Sequence, residues 1–330
     1  MSSWPPRWMT PVPEEALLAG EGHIAIGFAE RYGTITKDSV AGNVGDPMVL
    51  RDWQKQLLLR IFAWENGGLR HRIQLVGMPR KNGKSALGSI TALYSLALGP
   101  GGGEVYSIAA EKEQAKIVFR DARKMVEAAP DLGHINLYRD AMENTLNGSV
   151  YRALSAEAYS KEGLNPTFVI FDELHAQPNR DLFDVMSLAM GARGNKATLL
   201  AITTAGVRSD STGRDSIAYT LYQYGQKVAR GEEDDSTFFQ AWWESEGDYR
   251  DEATWETANP GFGDINDAED FRSAIRRTPE AEFKTKRLNL FVSSQNTWLP
   301  DGSWEQCAGE VAPDPDDEIV LGFDGSFSGD

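Results

Sequence analysis

The 330-residue chain has one cysteine, Cys307, which excludes an internal disulfide and any zinc cage built from several thiolates. No stretch approaches the roughly 18 uninterrupted apolar residues of a membrane-crossing helix. The opening residues, MSSWPPRWMTPVPEE, lack the apolar centre of a secretory signal and read as an extended proline-rich arm. No internal repeat is visible, which sets aside solenoids and propellers. With 41% hydrophobic and 25% charged residues, the chain reads as a globular protein of a cytosolic compartment, with one large domain and a smaller piece, or two domains.

Positive charge is scarce in one part only. Residues 231–330 carry 25 Asp and Glu against 7 Lys and Arg, net −18, whereas residues 1–230 carry 24 against 26, net +2. This imbalance suits two modules with different partners, or simply a solvated acidic face.

What is present is an alternation of strand and helix patterns. Trp53, Leu57, Ile61 and Trp64 recur at helical spacing within Leu50–Gly68. Strands are expected at Ile73–Gly77, Glu104–Ala109, Thr167–Phe171, Thr198–Thr203 and Thr237–Trp243, and a hairpin at Asn144–Leu154 turning at Asn147-Gly148. Helices are expected at Lys84–Leu98, Glu111–Ala129, Asp181–Met190 and Asp215–Ala229. Such alternation predicts an α/β fold with a mostly parallel sheet flanked by helices. Beyond Trp243 the chain reads as acidic, tryptophan-rich and less regular, ending in a strand-like Glu318–Phe323.

One strand–turn–helix unit, IQLVGMPRKNGKSALGSITALYSLAL (Ile73–Leu98), carries chemistry. A phosphate-binding loop needs converging backbone N–H groups, a lysine that reaches the β/γ oxygens and a hydroxyl for Mg²⁺ at the start of a helix. Gly83, Lys84 and Ser85 supply these in order, although Met78 stands where the usual pattern has its first glycine. Gly-Lys-Ser alone recurs by chance; between a buried strand and an apolar helix it becomes informative. A second element, PTFVIFDELHAQP, runs four apolar residues into Asp172 and Glu173. Acids at the carboxyl end of a parallel strand lie where ligand crevices form. Asp172 is then expected to serve a metal and Glu173 to act as general base on water; acids decorating a helix N-terminus are the plainer alternative. Adjacent Asp-Glu, with the strand and helix Glu104–Ala129 between the two motifs, points to the P-loop ATPase (ASCE) branch with an additional central strand.

With these motifs in place the chain resembles the terminase large subunit of tailed bacteriophages. PRKNGKS resembles that family's variant phosphate loop, in which an arginine precedes the glycine and the leading glycine is often missing. The resemblance implies that Pro79, Arg80, Lys81, Asn82, Gly83, Lys84 and Ser85 surround the nucleotide, with Arg80 and Lys84 catalytic. LRDWQKQLLL resembles the adenine-recognition segment, implying Gln54 on the base edge and Trp53 beside it; an amphipathic helix with Gln54 merely exposed fits equally. LAITTAG resembles the coupling motif, implying that Thr203 or Thr204 senses the γ-phosphate. ETANPGFGD (Glu256–Asp264), Arg287–Pro300 and Trp304–Cys307 resemble the lid and linker. VLGFDGSFSGD resembles the first strand of an RNase H-like nuclease with Asp324 as a metal ligand.

The resemblance therefore implies an arm (1–45), an ATPase core (46–230), a lid/linker subdomain (231–315) and one strand (316–330) of a nuclease cut short. It implies ATP and Mg²⁺ as cofactors, with nuclease Mg²⁺ or Mn²⁺ needed only in a complete nuclease. No DNA cutting is expected of this chain, because a two-metal site needs carboxylates from several strands. Implied partners are double-stranded DNA, the portal protein, the small terminase subunit and further copies in a ring, in host cytoplasm and transiently on the procapsid portal, with no membrane. A neighbour's Lys161 or Arg152 is expected to complete the site; each also reads as an ordinary solvated charge. Basic clusters at Arg70-His71-Arg72, Arg120–Lys124, and Arg276-Arg277 with Lys284–Arg287 are the visible candidates for DNA contact, and none is specific. Two other readings stand beside this one: a helicase-like DNA-dependent ATPase, and a nucleotide-binding assembly scaffold.

Overall fold

The computed structural model describes residues 4–154, 163–209 and 213–292. Ahead of the phosphate loop come β1 (Trp8–Met9), α1 (Glu14–Ala19), α2 (Gly22–Tyr32), α3 (Asp52–Ile61), β2 (Trp64–Glu65) and β3 (Gly68–Leu69). The loop joins β4 (Ile73–Gly77) to α4 (Lys84–Leu98), and β5 (Glu104–Ile108) and α5 (Lys112–Ala128) follow. Next are β6 (Ile135–Leu137), β7 (Ala141–Asn144), β8 (Ser149–Leu154) and β9 (Phe168–Asp172). Then come α6 (Asp181–Ala189), β10 (Thr198–Thr203), α7 (Ile217–Ala229) and β11 (Phe238–Trp242). Three short helices complete the described chain: α8 (Glu252–Ala258), α9 (Ala268–Ala274) and α10 (Glu280–Leu288).

Among the described residues, nine strands form one sheet in the order β1-β11-β4-β10-β9-β5-β8-β7-β6. The run from β11 to β8 is parallel, and β1, β7 and β6 add antiparallel edges. Strand β10 separates the loop strand β4 from the acidic strand β9, the order of an ASCE-type P-loop fold. The strand that intervenes in sequence, β5, lies on the far side of β9. Central strands are buried on both faces, as continuous apolar runs require. Val76, Ile170, Leu200 and Ile202 meet α2, α3, α4 and α5 residues such as Phe28, Leu57, Leu87 and Val118. Leu75, Val169, Phe171 and Leu199 point the other way, toward Leu182 and Phe183 of α6 and Tyr222 of α7. Period-two alternation thus divides one set of strands between two cores.

Several expectations are revised. The N-terminal arm contains β1, α1 and α2, and β1 pairs with β11 through Trp8↔Trp242 and Met9↔Ala241. The sheet therefore draws strands from both sides of residues 46–230. Helix α3 ends at Ile61, so Trp64 belongs to β2 rather than to the helical stripe. The region read as irregular folds into α8–α10 around its own small core of Trp255, Phe271, Phe283 and Leu288. Lys161, Asp324, the segment Trp304–Cys307 and the strand expected at Glu318–Phe323 lie outside the described residues, as does most of Arg287–Pro300.

Candidate functional site

Strand register levels the tips of the three central strands. Gly77 of β4 pairs with Thr203 of β10, and Ile202 of β10 pairs with Asp172 of β9. The chain leaves β4 at Met78, whose N–H donates to the Thr203 carbonyl at 3.1 Å. It turns through Lys81 (φ 69°) and Gly83 (φ 79°) into the first turn of α4. Two left-handed residues curl the backbone into a tight turn, the kind of conformation that forms anion-binding nests, and at Gly83 the missing Cβ makes it easy. Met78 is buried in the core, which explains how a methionine replaces the first glycine: its side chain packs away from the loop.

The loop borders a cleft of about 730 Å³. Arg80, Lys81, Gly83, Lys84 and Ser85 line one wall, and Glu173, His175 and Ala176 face them. Lys37 and Ser39 from the segment after α2, Glu111 and Gln114 beside α5, and Ile265 complete the rim.

Lys84 is buried, and its ammonium donates to the carbonyls of Met78 (2.9 Å) and Pro79 (3.0 Å) and to Thr204 Oγ1 (3.0 Å). Three acceptors match its three protons. Burial nevertheless lowers its pKa to about 8, against the raising influence of Glu173 and Asp172. Asp172 is fully buried, and neither carboxylate oxygen has a partner at hydrogen-bond geometry. Burial, reinforced by the neighbouring Glu173 charge, raises its pKa to about 7, while Lys84, the Glu173 amide and the Ser85 hydroxyl pull it down. Two orphaned, buried carboxylate oxygens close to a hydroxyl are the donor set of a hard divalent cation. Ser85 and Asp172 therefore fit Mg²⁺.

Glu173 adopts a left-handed backbone (φ 52°), an outlier for a residue with a Cβ. Its N–H donates to the Ile202 carbonyl at 3.0 Å, and the turn brings its side chain to the cleft. His175, to which sequence reasoning gave no role, lies in the following single turn and touches both Glu173 and Thr203. The only available signal was its place in DELH, two residues after the acid.

Other expected residues sit differently. Trp53 is enclosed in the core against Trp243, with ring centroids 5.6 Å apart, and does not line the cleft. Gln54 is buried rather than exposed: its Oε1 accepts the Arg51 N–H at 2.9 Å, and its Nε2 approaches the space beside Gly83. Asn82 turns away from the cleft toward Asn259 and Gly261. Pro79 is buried and offers only its carbonyl, which accepts from Lys84 and from the Asn82 side-chain amide. Thr203 and Thr204 are buried, the first bonded to His175 and the second to Lys84. Arg152 is exposed on β8 and is not part of the cleft.

Residues 52–224 match the terminase large subunit ATPase domain. The terminase large subunit of Enterobacteria phage HK97 is 27% identical over 322 residues, covering 94% of this chain and 60% of that protein. Protein YmfN of Escherichia coli K12 is 28% identical over 152 residues, 44% of this chain and 32% of that protein. The crystal structure of the HK97 large terminase matches with a TM-score of 0.69 at 26% identity, covering 87% of this chain and 59% of that one. The chain spans about three fifths of the length of these HK97 relatives.

Proposed function

The chain belongs to the terminase large subunit family by its ATPase domain, and we propose that it hydrolyses ATP to move double-stranded DNA into a viral procapsid. The observation that carries the chemistry is the pairing of two elements: Lys84 at the end of the phosphate loop lies within charge-interaction range of orphaned Asp172, buried beneath the cleft at the tip of β9.

Ser85 and Asp172 would hold Mg²⁺, which would supply charge neutralisation on the phosphates. Lys84 and Arg80 add fixed positive charge where negative charge develops, so the site works by positioning and electrostatics. Glu173 orients the attacking water and accepts its proton. A phosphate arriving at Lys84 competes with Thr204 for the same ammonium, which supports Thr204 as the group that senses its presence and loss. Thr203, one residue earlier, communicates with the acid through His175. Gln54, beside Gly83, is the group for the adenine edge.

Residues 231–315 act as the lid and linker, and Asn259 and Gly261 within them are held to the loop by Asn82. Copies arranged in a ring on the portal, with the small subunit as a partner, form the motor, and a neighbour's Arg152 or Lys161 completes each site. Exposure of Arg152 on β8 is consistent with that part. DNA contacts fall to the basic groups of the near-neutral residues 1–230 and to Arg276 and Arg277, since Lys284, Lys286 and Arg287 of the same candidate cluster are already paired with Glu280, Glu282 and Asp270.

Two measurements test this reading. Titrating a non-hydrolysable ATP analogue with Mg²⁺ gives heat for the wild type and far less for Lys84→Ala; no heat with the wild type overturns the nucleotide site. Glu173→Gln binds the analogue but turns ATP over at least about 100-fold more slowly. Equal rates remove the base assignment and favour a scaffold.

A further inference from the structure

We propose that His175 is the positioning residue that holds the Glu173 carboxylate for water activation and ties it to the end of β10 through Thr203. This rests on the assignment of Glu173 as general base.

The geometry begins with the backbone. After the left-handed turn at Glu173 the chain makes one 3-10 turn, Leu174–Ala176. The His175 N–H donates to Thr203 Oγ1 at 3.0 Å. The His175 ring returns to the same oxygen, with Nδ1 at 3.1 Å. Nδ1 also stands 3.1 Å from Glu173 Oε2. One ring nitrogen therefore touches both the acid and the end of the neighbouring strand.

Proton placement follows from the Thr203 hydroxyl. That hydroxyl donates to the Thr204 carbonyl at 3.0 Å, so its single proton is committed. Its lone pairs can only accept, and both approaches from His175 must be donations. Nδ1 thus carries the hydrogen and donates it to the Thr203 hydroxyl, while Glu173 Oε2 stands 3.1 Å from the same nitrogen as a close polar contact rather than a hydrogen bond. Burial lowers the His175 pKa and keeps the ring neutral, consistent with this single tautomer. Glu173 Oε2 is buried and has no hydrogen-bond partner of good geometry, so the Nδ1 contact is the polar restraint upon it. The ring itself is hemmed in: a Cβ at Gly206 would lie 3.1 Å from the His175 Cβ.

The consequence is a three-member relay of Glu173, His175 and Thr203. A shift of the β10 tip when Lys84 exchanges Thr204 for phosphate moves Thr203, and with it the ring and the acid. Placement of the base then depends on phosphate occupancy, so water activation waits for a seated nucleotide.

The test is a steady-state kinetic series on the intact chain. His175→Asn places a side-chain N–H where Nδ1 stands, and His175→Phe keeps the ring and removes the donor. Thr203→Val removes the hydroxyl and keeps the shape. The expected result is a kcat about 10- to 100-fold lower for His175→Phe, since small misplacement of a catalytic group has effects of that size. Its KM for ATP and its calorimetric affinity for an ATP analogue stay within about twofold of wild type. His175→Asn restores kcat to within about threefold, Thr203→Val resembles His175→Phe, and the double variant is no slower than either single one.

Wild-type kcat for His175→Phe, failure of His175→Asn to rescue, or multiplicative losses in the double variant each overturn the relay. So does a fall in ATP affinity as large as the fall in kcat, which would mark a merely structural histidine. Glu173→Gln, measured alongside, separates the two readings. If it turns over at the wild-type rate, the base assignment falls; if it is slow while His175→Phe is fast, only the relay falls.

Discussion

The side-chain amide of Asn82 in the phosphate loop donates to the carboxamide oxygen of Asn259 at 2.8 Å, with both residues buried. Asn82 Oδ1 in turn accepts the Gly261 N–H at 2.9 Å, and Asn259 Nδ2 donates to the carbonyls of Trp255 (2.9 Å) and Arg287 (2.8 Å). The loop backbone adds Arg80 N–H to the Lys286 carbonyl at 3.0 Å. Helices α8 and α10 are thereby bolted to the loop between β4 and α4, so under the proposed function nucleotide occupancy and lid position share a hinge.

Removing one bolt leaves buried partners unpaired, at roughly 1–3 kcal/mol per group. Asn259→Ala is expected to lower stability by about 2–4 kcal/mol in urea unfolding. Asn82→Ala acts on the same network, so the double variant falls short of the sum. Additive effects would show that the two residues do not act as a unit.

Asp172 sets function against stability. Its folded pKa of about 7 lies above the ordinary carboxylate value, so the unfolded chain releases the proton first and folding loses stability as pH rises from about 4 to 7. Above pH 7 that cost is fully present without a cation. Asp172→Asn is therefore expected to stabilise the nucleotide-free chain by roughly 1–3 kcal/mol at pH 8 while ATP turnover collapses. Thermal unfolding in EDTA reads the first effect, and an unchanged or lower melting temperature counts against it.

Lys84 has the opposite sign. Its pKa of about 8 in the nucleotide-free protein is below the ordinary lysine value. A triphosphate beside the ammonium raises it, so binding takes up a proton when the pH is near or above 8. ATP-analogue affinity is expected to fall as pH rises from 8 to 10. Calorimetry in two buffers of different ionisation heat should reveal proton uptake at pH 8.5; none would mean that Lys84 is already fully charged.

Met78 occupies the position of the missing glycine but belongs to the core. Met78→Gly is expected to destabilise the protein by about 2–5 kcal/mol, as a large-to-small core change, without tightening nucleotide binding more than about twofold. Tighter binding would show that the methionine does constrain the loop.

Much of this was legible because the informative segments encode themselves locally. The bounds of β4, α4 and β10 follow from apolar runs punctuated by Gly, Pro and Asn, and each agrees with the structure to the residue. The acids at the end of β9, Asp172 within it and Glu173 just beyond, were readable for the same reason. Helices α8 and α9 were not: at seven residues each, they are too short to establish a helical period. Strand β1 was hidden because its pairing partner lies more than 200 residues away and two residues carry no alternation. Trp53 shows another limit, since a tryptophan beside a glutamine on an amphipathic helix looks the same whether it meets a base or Trp243. His175 escaped because its meaning depends on register: only the levelling of β9 against β10 brings Thr203 to it.

The pairing of β1 with β11 also governs how the protein can be dissected. Residues 52–224 match the ATPase domain, yet a fragment cut to those bounds loses both strands. Strand β4 would then form the sheet's outer margin, with its backbone groups exposed and Gly77 stripped of the Trp242 ring that covers it. Such margins invite intermolecular strand addition, so a minimal soluble ATPase must begin before Trp8 and extend past Trp242.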